Sequence, residues 1–128
     1  GGGILLAGLM GCDYIINSAI PVYTIVEGLV ASAATLLSIV GKKRLMLRNS
    51  YILIHELSSS HSGKYSSLKD DHINNKMLMK HLIRLYKKYS NLSAAQLYSA
   101  LSRDLFWNYR IAHKRGIVDA IYNGESHR

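Results

Sequence analysis

Residues 22–41 read Val22-Tyr23-Thr24-Ile25-Val26-Glu27-Gly28-Leu29-Val30-Ala31-Ser32-Ala33-Ala34-Thr35-Leu36-Leu37-Ser38-Ile39-Val40-Gly41, and the fold turns on a change of character midway. Val22 to Val26 are β-branched or aromatic, residues that lose side-chain freedom in a helix but pack well on a pleated surface. They predict a buried strand. Gly28 supplies a turn, and residues 31–40 are small and aliphatic, a buried helix closed by Gly41 at the position where helix C-termini favour glycine. Residues 14–41 carry one formal charge, Glu27, and a window of ~20 residues could be mistaken for a membrane span. Pro21 and Glu27 argue against a span, and no basic leader or cleavage pattern indicates export.

Outward from this unit, residues 4–18 are apolar and rich in small side chains, a predicted helix ending before Pro21. On the other side, residues 45–47 and 51–54 form short apolar strands separated by the turn-forming Arg48-Asn49-Ser50. Residues 58–67 are a serine-rich polar loop. From 69 to 89, Leu78, Leu82, Leu85 and Tyr89 recur at three or four residues while Lys80, Arg84, Lys87 and Lys88 fall on other faces, a long amphipathic helix. Asp70 and Asp71 read as charges at its N-terminal end. Ser93 caps a helix over 94–101, and Asn108 caps another that stops before Gly116. Residues 117–122 close as a strand. Alternating strands and helices give an α/β layer fold and one domain over residues 1–128.

The 128 residues have a formal charge of +8, scattered apart from Lys42-Lys43-Arg44 and the 80–88 stretch. Such charges are most simply a solvated face. Net charge and nine tyrosines alone would have to carry a nucleic-acid reading. The one cysteine, Cys12, has no partner for an internal disulfide and no CxxC or Cys/His metal spacing, which fits a reducing compartment.

Ser32 follows a strand and a glycine turn and opens a helix, whose free N–H groups would stabilise an oxyanion beside its hydroxyl. The competing reading is a helix-capping serine. His55 ends the apolar run Ile52-Leu53-Ile54, held by a rigid element at an edge, where it suits a general base or is an ordinary strand-end histidine. Asp104, between two predicted helices, either pairs locally with Arg103 or fixes a histidine tautomer. Asp13, Asp70, Asp71 and Asp119 compete for that role. No histidine pairs with another at metal-ligand spacing, so no metal and no cofactor is expected.

In this order, the pieces resemble the proteolytic subunit of the Clp (caseinolytic) protease from Gly1 to about Ile121. The family's Ser-Pro-Gly-Gly turn is matched from its proline onward by Gly1-Gly2-Gly3-Ile4-Leu5-Leu6-Ala7-Gly8. Its Gly-x-Ala-Ala-Ser-Met-Gly-Ala segment is matched by Gly28-Leu29-Val30-Ala31-Ser32-Ala33-Ala34-Thr35. Its Pro-Asn-Ser-x-x-Met-Ile-His-Gln-Pro strand is echoed by Arg48-Asn49-Ser50-Tyr51-Ile52-Leu53-Ile54-His55-Glu56-Leu57. Arg103-Asp104-Leu105-Phe106 matches Arg-Asp-x-Phe, and Arg115-Gly116-Ile117-Val118-Asp119 matches the closing Tyr-Gly-Leu-Val-Asp. Departures include Gly1 for proline, Ala33-Ala34 for Met-Gly and Glu56-Leu57 for Gln-Pro.

The resemblance implies the β-α-β spiral layers of the caseinolytic/crotonase-like fold, with residues 58–90 as a loop and protruding handle helix and the family's N-terminal strands lacking. It implies a serine endopeptidase with Ser32 as nucleophile, His55 as base, Asp104 orienting the imidazole, and the Gly3 and Ala33 N–H groups as oxyanion hole. The partners it implies are unfolded polypeptide substrates and copies of the chain in heptameric rings, which the handle stacks. An unfoldase ATPase docks on the family's N-terminal strands and axial loops. Nucleic acid and membrane are not expected, and the compartment implied is cytoplasmic or its organellar or viral equivalent. The alternative is a catalytically silent ring subunit; an acyl-CoA enzyme or Ser/Lys peptidase of the wider superfamily accounts less well for His55 and Asp104 together.

Overall fold

The computed structural model describes residues 2–54 and 65–124. In chain order the elements are α1 (Gly2–Ile16), β1 (Tyr23–Val26), β2 (Leu29–Ala31), α2 (Ala33–Ile39), β3 (Lys43–Met46), β4 (Tyr51–Leu53), α3 (Tyr65–Tyr89), α4 (Ala94–Leu101), β5 (Phe106–Trp107), α5 (Tyr109–Lys114) and β6 (Ala120–Ile121). The α/β expectation holds.

The strands form two three-stranded sheets, β1-β3-β6 and β2-β4-β5. Within the first, β1 pairs parallel to β3, and β3 parallel to β6; in the second, β2 is parallel to β4 and β4 antiparallel to β5. The chain passes twice from the first sheet to the second, once from β1 to β2 and once from β3 to β4. Both crossings are tied together: the Leu47 N–H donates to the Val26 carbonyl (3.0 Å) and the Tyr51 N–H to the Gly28 carbonyl (2.7 Å). Gly28, at φ 67°, takes the kink that a side chain would resist.

Helices α1 and α2 lie close together because glycines face the contact. A Cβ on Gly8 would sit 2.8 Å from the Ala33 Cβ, and one on Gly11 would sit 2.6 Å from the Leu37 Cδ2. Positions rise together along both helices, Gly8 with Ala33 and Gly11 with Leu37, so the helices run in the same direction. The core gathers Leu36 and Ile39 of α2, Val26 and Met46 of the first sheet, Ile52 and Trp107 of the second, and Leu82, Ile83 and Tyr86 of α3. α4 starts with a complete capping box: Ser93 accepts from the Gln96 N–H and Gln96 accepts from the Ser93 N–H. Asn108 likewise caps α5 through the Ile111 N–H.

Several sequence expectations change. Residues 29–31 are a strand, with α2 beginning only at Ala33, because Leu29 to Ala31 find ladder partners in β4 that local pattern does not reveal. The helix expected from residue 69 begins at Tyr65, so the last residues of the expected serine loop are helical and Asp70 and Asp71 lie beyond the first turn. The closing strand shortens to Ala120–Ile121, and β5 is an element the pattern did not suggest. Residues 55–64 of the loop region lie outside the described residues. No helix among the described residues is long and apolar enough to cross a membrane.

Candidate active site

Ser32 occupies the junction between β2 and α2 with φ 55° and ψ −125°. It is the one non-glycine residue with positive φ among those described. Such a conformation costs on the order of 1–3 kcal/mol and persists only where the surroundings impose it. Here the surroundings are rigid: β2 is held in register against β4, and α2 is held against α1 through the Gly8 contact with Ala33. The strained turn projects an exposed side chain at the start of the helix. Although Ser32 stands at the N-cap position, its side chain makes no capping hydrogen bond. The capping role that competed for this serine is therefore not the one it plays.

The second sheet gathers the ends that matter. Ala31 is paired with Leu53, and Leu53 with Phe106, so one row of the ladder crosses all three strands. Ser32 leaves that row from β2, and Asp104 enters it two residues before Phe106. Neighbouring strands lie about 4.8 Å apart, so the outer two members of the row are separated by about 10 Å. Asp104 is exposed in the segment between α4 and β5. His55 lies outside the described residues, two positions after Leu53 in sequence.

The competing carboxylates are placed elsewhere. Asp119 receives Arg44 through three contacts: the Arg44 Nη2 donates to Oδ1 at 2.7 Å, and the Arg44 Nε and backbone N–H donate to Oδ2 at 3.2 and 2.8 Å. These hydrogen bonds hold the Asp119 carboxyl below the usual carboxylate range against partial burial. Asp13 lies on the exposed side of α1, and Asp70 and Asp71 lie on α3. Gly3 lies in the first turn of α1. Since α1 and α2 run alike and Gly8 abuts Ala33, the α1 end carrying Gly3 extends past the start of α2.

Sequence reasoning missed two supporting residues. Ser50 is buried, and its Oγ accepts the Gly28 N–H at 2.9 Å. Arg44 donates through Nη1 to the carbonyls of Tyr89 (2.5 Å) and Gly116 (2.8 Å) as well as gripping Asp119. Ser50 read as a turn residue and Arg44 as one of a basic run; their partners are remote in sequence, and local pattern carries no signal of them. Among the described residues no group of three His, Cys, Asp or Glu could hold a metal ion.

Residues 1–125 match the family model of Clp protease. The chain belongs to that family. It is 34% identical over 124 residues to an ATP-dependent Clp protease proteolytic subunit of Oenothera elata subsp. hookeri, covering 94% of this chain and 50% of that protein. With the subunit of the same name from Deinococcus radiodurans it shares 31% identity over 122 residues, 94% of this chain and 60% of that protein. The Mesostigma viride subunit is 29% identical over 120 residues, 92% and 52%. The chain thus spans about half to three-fifths of the length of these relatives. Membership is consistent with the two small sheets and packed helices of the fold.

Proposed function

We propose that the protein is a serine endopeptidase subunit in which Ser32 is the nucleophile, His55 the general base and Asp104 the residue that orients the imidazole. The observation that carries this is Ser32 itself: a strained residue on a strand-to-helix turn, its hydroxyl exposed and not spent on capping. Strain of this kind at a strand-to-helix turn is a known way to present a nucleophile. In the reaction, the Ser32 hydroxyl attacks the peptide carbonyl while His55 takes its proton. His55 then returns that proton to the leaving amine, and water hydrolyses the acyl-enzyme by the same route. The N–H groups of Gly3 and Ala33 serve the oxyanion; the parallel course of α1 and α2 favours this pairing.

The substrate class is unfolded polypeptide, and copies of the chain assemble into rings, heptameric by the family pattern. Supporting assembly, α1 leaves Ile4, Leu6, Met10 and Tyr14 more than half exposed, an apolar face of the kind that marks an interface. A Clp-type unfoldase is the natural partner for such a ring, in a cytoplasmic, organellar or viral setting. A single domain over 1–128, with residues 58–90 as loop and handle, fits the continuous match.

The test is covalent labelling of the full-length protein by a fluorophosphonate probe. Labelling that vanishes in Ser32→Ala and in His55→Ala establishes the activated serine. A folded oligomer that takes no label is instead the silent ring subunit, and this reading falls.

A further inference from the structure

The segment leading into α4 and the length of α5 enclose a cleft of about 420 Å³, within the range of small-molecule sites. Part of its lining is apolar: Leu92 is 4% exposed and Ile111 is half-buried. The two sides are tied to each other. The Asn91 N–H donates to the Arg115 carbonyl at 2.8 Å, and a Cβ on Gly116 would lie 2.9 Å from the Asn91 side chain. Three cations line the same cleft: Arg110 and Lys114, one helical turn apart on α5, and Arg115. Arg110 and Lys114 are exposed, and neither side chain makes a hydrogen bond or ion pair among the described residues. Like charges at this spacing oppose each other, so the helix gains nothing by holding them there. Arg115 is held over the Trp107 ring, its Cζ 4.6 Å from the centroid, and its side-chain N–H groups have no acceptor among the described residues. Gln96 and Asn108 commit their side-chain oxygens to helix caps, accepting the Ser93 and Ile111 N–H groups, which leaves their NH2 donors for the cleft. No carboxylate among the described residues lines it, and between Asp71 and Asp119 the sequence holds only Asp104.

We propose that this cleft binds a chain of linked phosphates, free or as the tail of a nucleoside triphosphate. Three cations and two amide donors in a small space call for a compact, multiply charged ligand rich in acceptor oxygens. A terminal phosphate offers three such oxygens and a carboxylate two. The arginine forks can each take a phosphate through two N–H groups, with Lys114 adding a point charge. Nucleic acid fits less well. Trp107 is 5% exposed and covered by Arg115, and no aromatic ring lines the cleft to stack on a base. For the same reason a nucleotide would be read by its phosphates and not by its base. The inference does not depend on Ser32 being reactive.

The experiment uses Trp107, the one tryptophan of the chain, whose emission should report on a ligand that engages Arg115 above it. The full-length protein is titrated with inorganic triphosphate, ATP, orthophosphate, citrate, a hexaglutamate peptide and a 20-base-pair DNA duplex, and melting temperature serves as a second readout. Triphosphate is expected to bind at least tenfold tighter than orthophosphate or citrate and to raise the melting temperature. Arg110→Ala/Lys114→Ala should weaken it at least tenfold, and Arg110→Lys, which keeps the charge and loses the fork, at least threefold. Lys80→Ala/Lys87→Ala, which removes exposed cations of α3, should leave it unchanged. Binding of ATP as tight as that of triphosphate identifies the nucleotide tail as a source, and binding of triphosphate alone identifies the free chain; both uphold the proposal. Citrate binding equal to triphosphate, or triphosphate binding unmoved by the α5 variants, reduces the cleft to general charge attraction and overturns it. Tighter binding of hexaglutamate or DNA also overturns it, as does triphosphate that changes neither emission nor melting temperature.

Discussion

Gly28 and Ser50, twenty-two residues apart, meet where both pairs of strands cross from one sheet to the other: the Gly28 N–H donates to the buried Ser50 Oγ at 2.9 Å. Four residues beyond Gly28 the chain reaches Ser32, so this bond anchors the near end of the strand that presents the candidate nucleophile. Ser50→Ala leaves a partly buried N–H without its acceptor, which costs about 1–3 kcal/mol. Urea denaturation should show that loss, and the rate of fluorophosphonate labelling should fall in protein that is still fully folded. Labelling at the wild-type rate would confine Ser50 to stability.

Ser32→Gly and Ser32→Ala should part company. Both remove the hydroxyl and with it all labelling, but only glycine is at ease at φ 55° and ψ −125°. Release of strain outweighs the greater chain entropy of glycine, so Ser32→Gly is expected to be more stable than Ser32→Ala by about 1 kcal/mol. Thermal melts of the two variants side by side decide it.

Two glycines on one helix predict different outcomes. At Gly8 a methyl group would lie 2.8 Å from the Ala33 Cβ and 3.4 Å from its Cα and carbonyl oxygen, atoms fixed to the backbone beside Ser32. Gly8→Ala should destabilise by about 1–3 kcal/mol despite the better helix propensity of alanine. Gly11→Ala comes too close only to the Leu37 Cδ2 (2.6 Å), at the tip of a rotatable side chain, with the Leu37 Cγ at an ordinary 3.8 Å, and the propensity gain of about 1 kcal/mol should leave it near neutral.

The grip of Arg44 on Asp119 sets a dependence on acid. Arg44 lowers the Asp119 pKa in the folded state, so the folded chain holds the carboxylate charged where the unfolded chain would protonate it. That stability is present above the unfolded value, about 3.9, and is lost as pH falls through the lower folded value. Asp119→Asn should therefore be less stable than wild type at pH 7, with the gap closing below about pH 4. The Asp119 side chain is 42% exposed, and solvent screening keeps the effect modest. Arg44→Ala should cost more, since it also strips the Tyr89 and Gly116 carbonyls of their donor.

Cys12 is 2% exposed, and burial pushes its thiol up from 9.0 to about 11. In native protein it should resist a thiol reagent at pH 8 for as long as the fold holds, and react at once in denaturant. Because the folded state keeps its proton longer, this group makes the protein less stable as pH rises from about 9 toward 11. Rapid native labelling would contradict the packing of α1 against the core.

Much of this was legible along the chain. The switch from Val22-Tyr23-Thr24-Ile25-Val26 to the small residues after Gly28, the caps at Ser93 and Asn108 and the three-four rhythm of Leu78, Leu82 and Leu85 are local signals, set by side-chain freedom and hydrogen bonds within a turn. They placed α1, α2, α3, α4 and α5 to within a few residues and pointed to Ser32. Pairing is another matter. That Leu29 to Ala31 are a strand, that Phe106-Trp107 joins them across β4, and that Ser50 and Arg44 hold the crossings depend on which segments meet, and a ladder bond has no footprint in either strand alone. Sequence by itself determined the layered α/β class and the candidate residues. Only the tertiary structure decided that Ser32 is strained and uncapped, because φ 55° is imposed there by β4 on one side and α1 on the other.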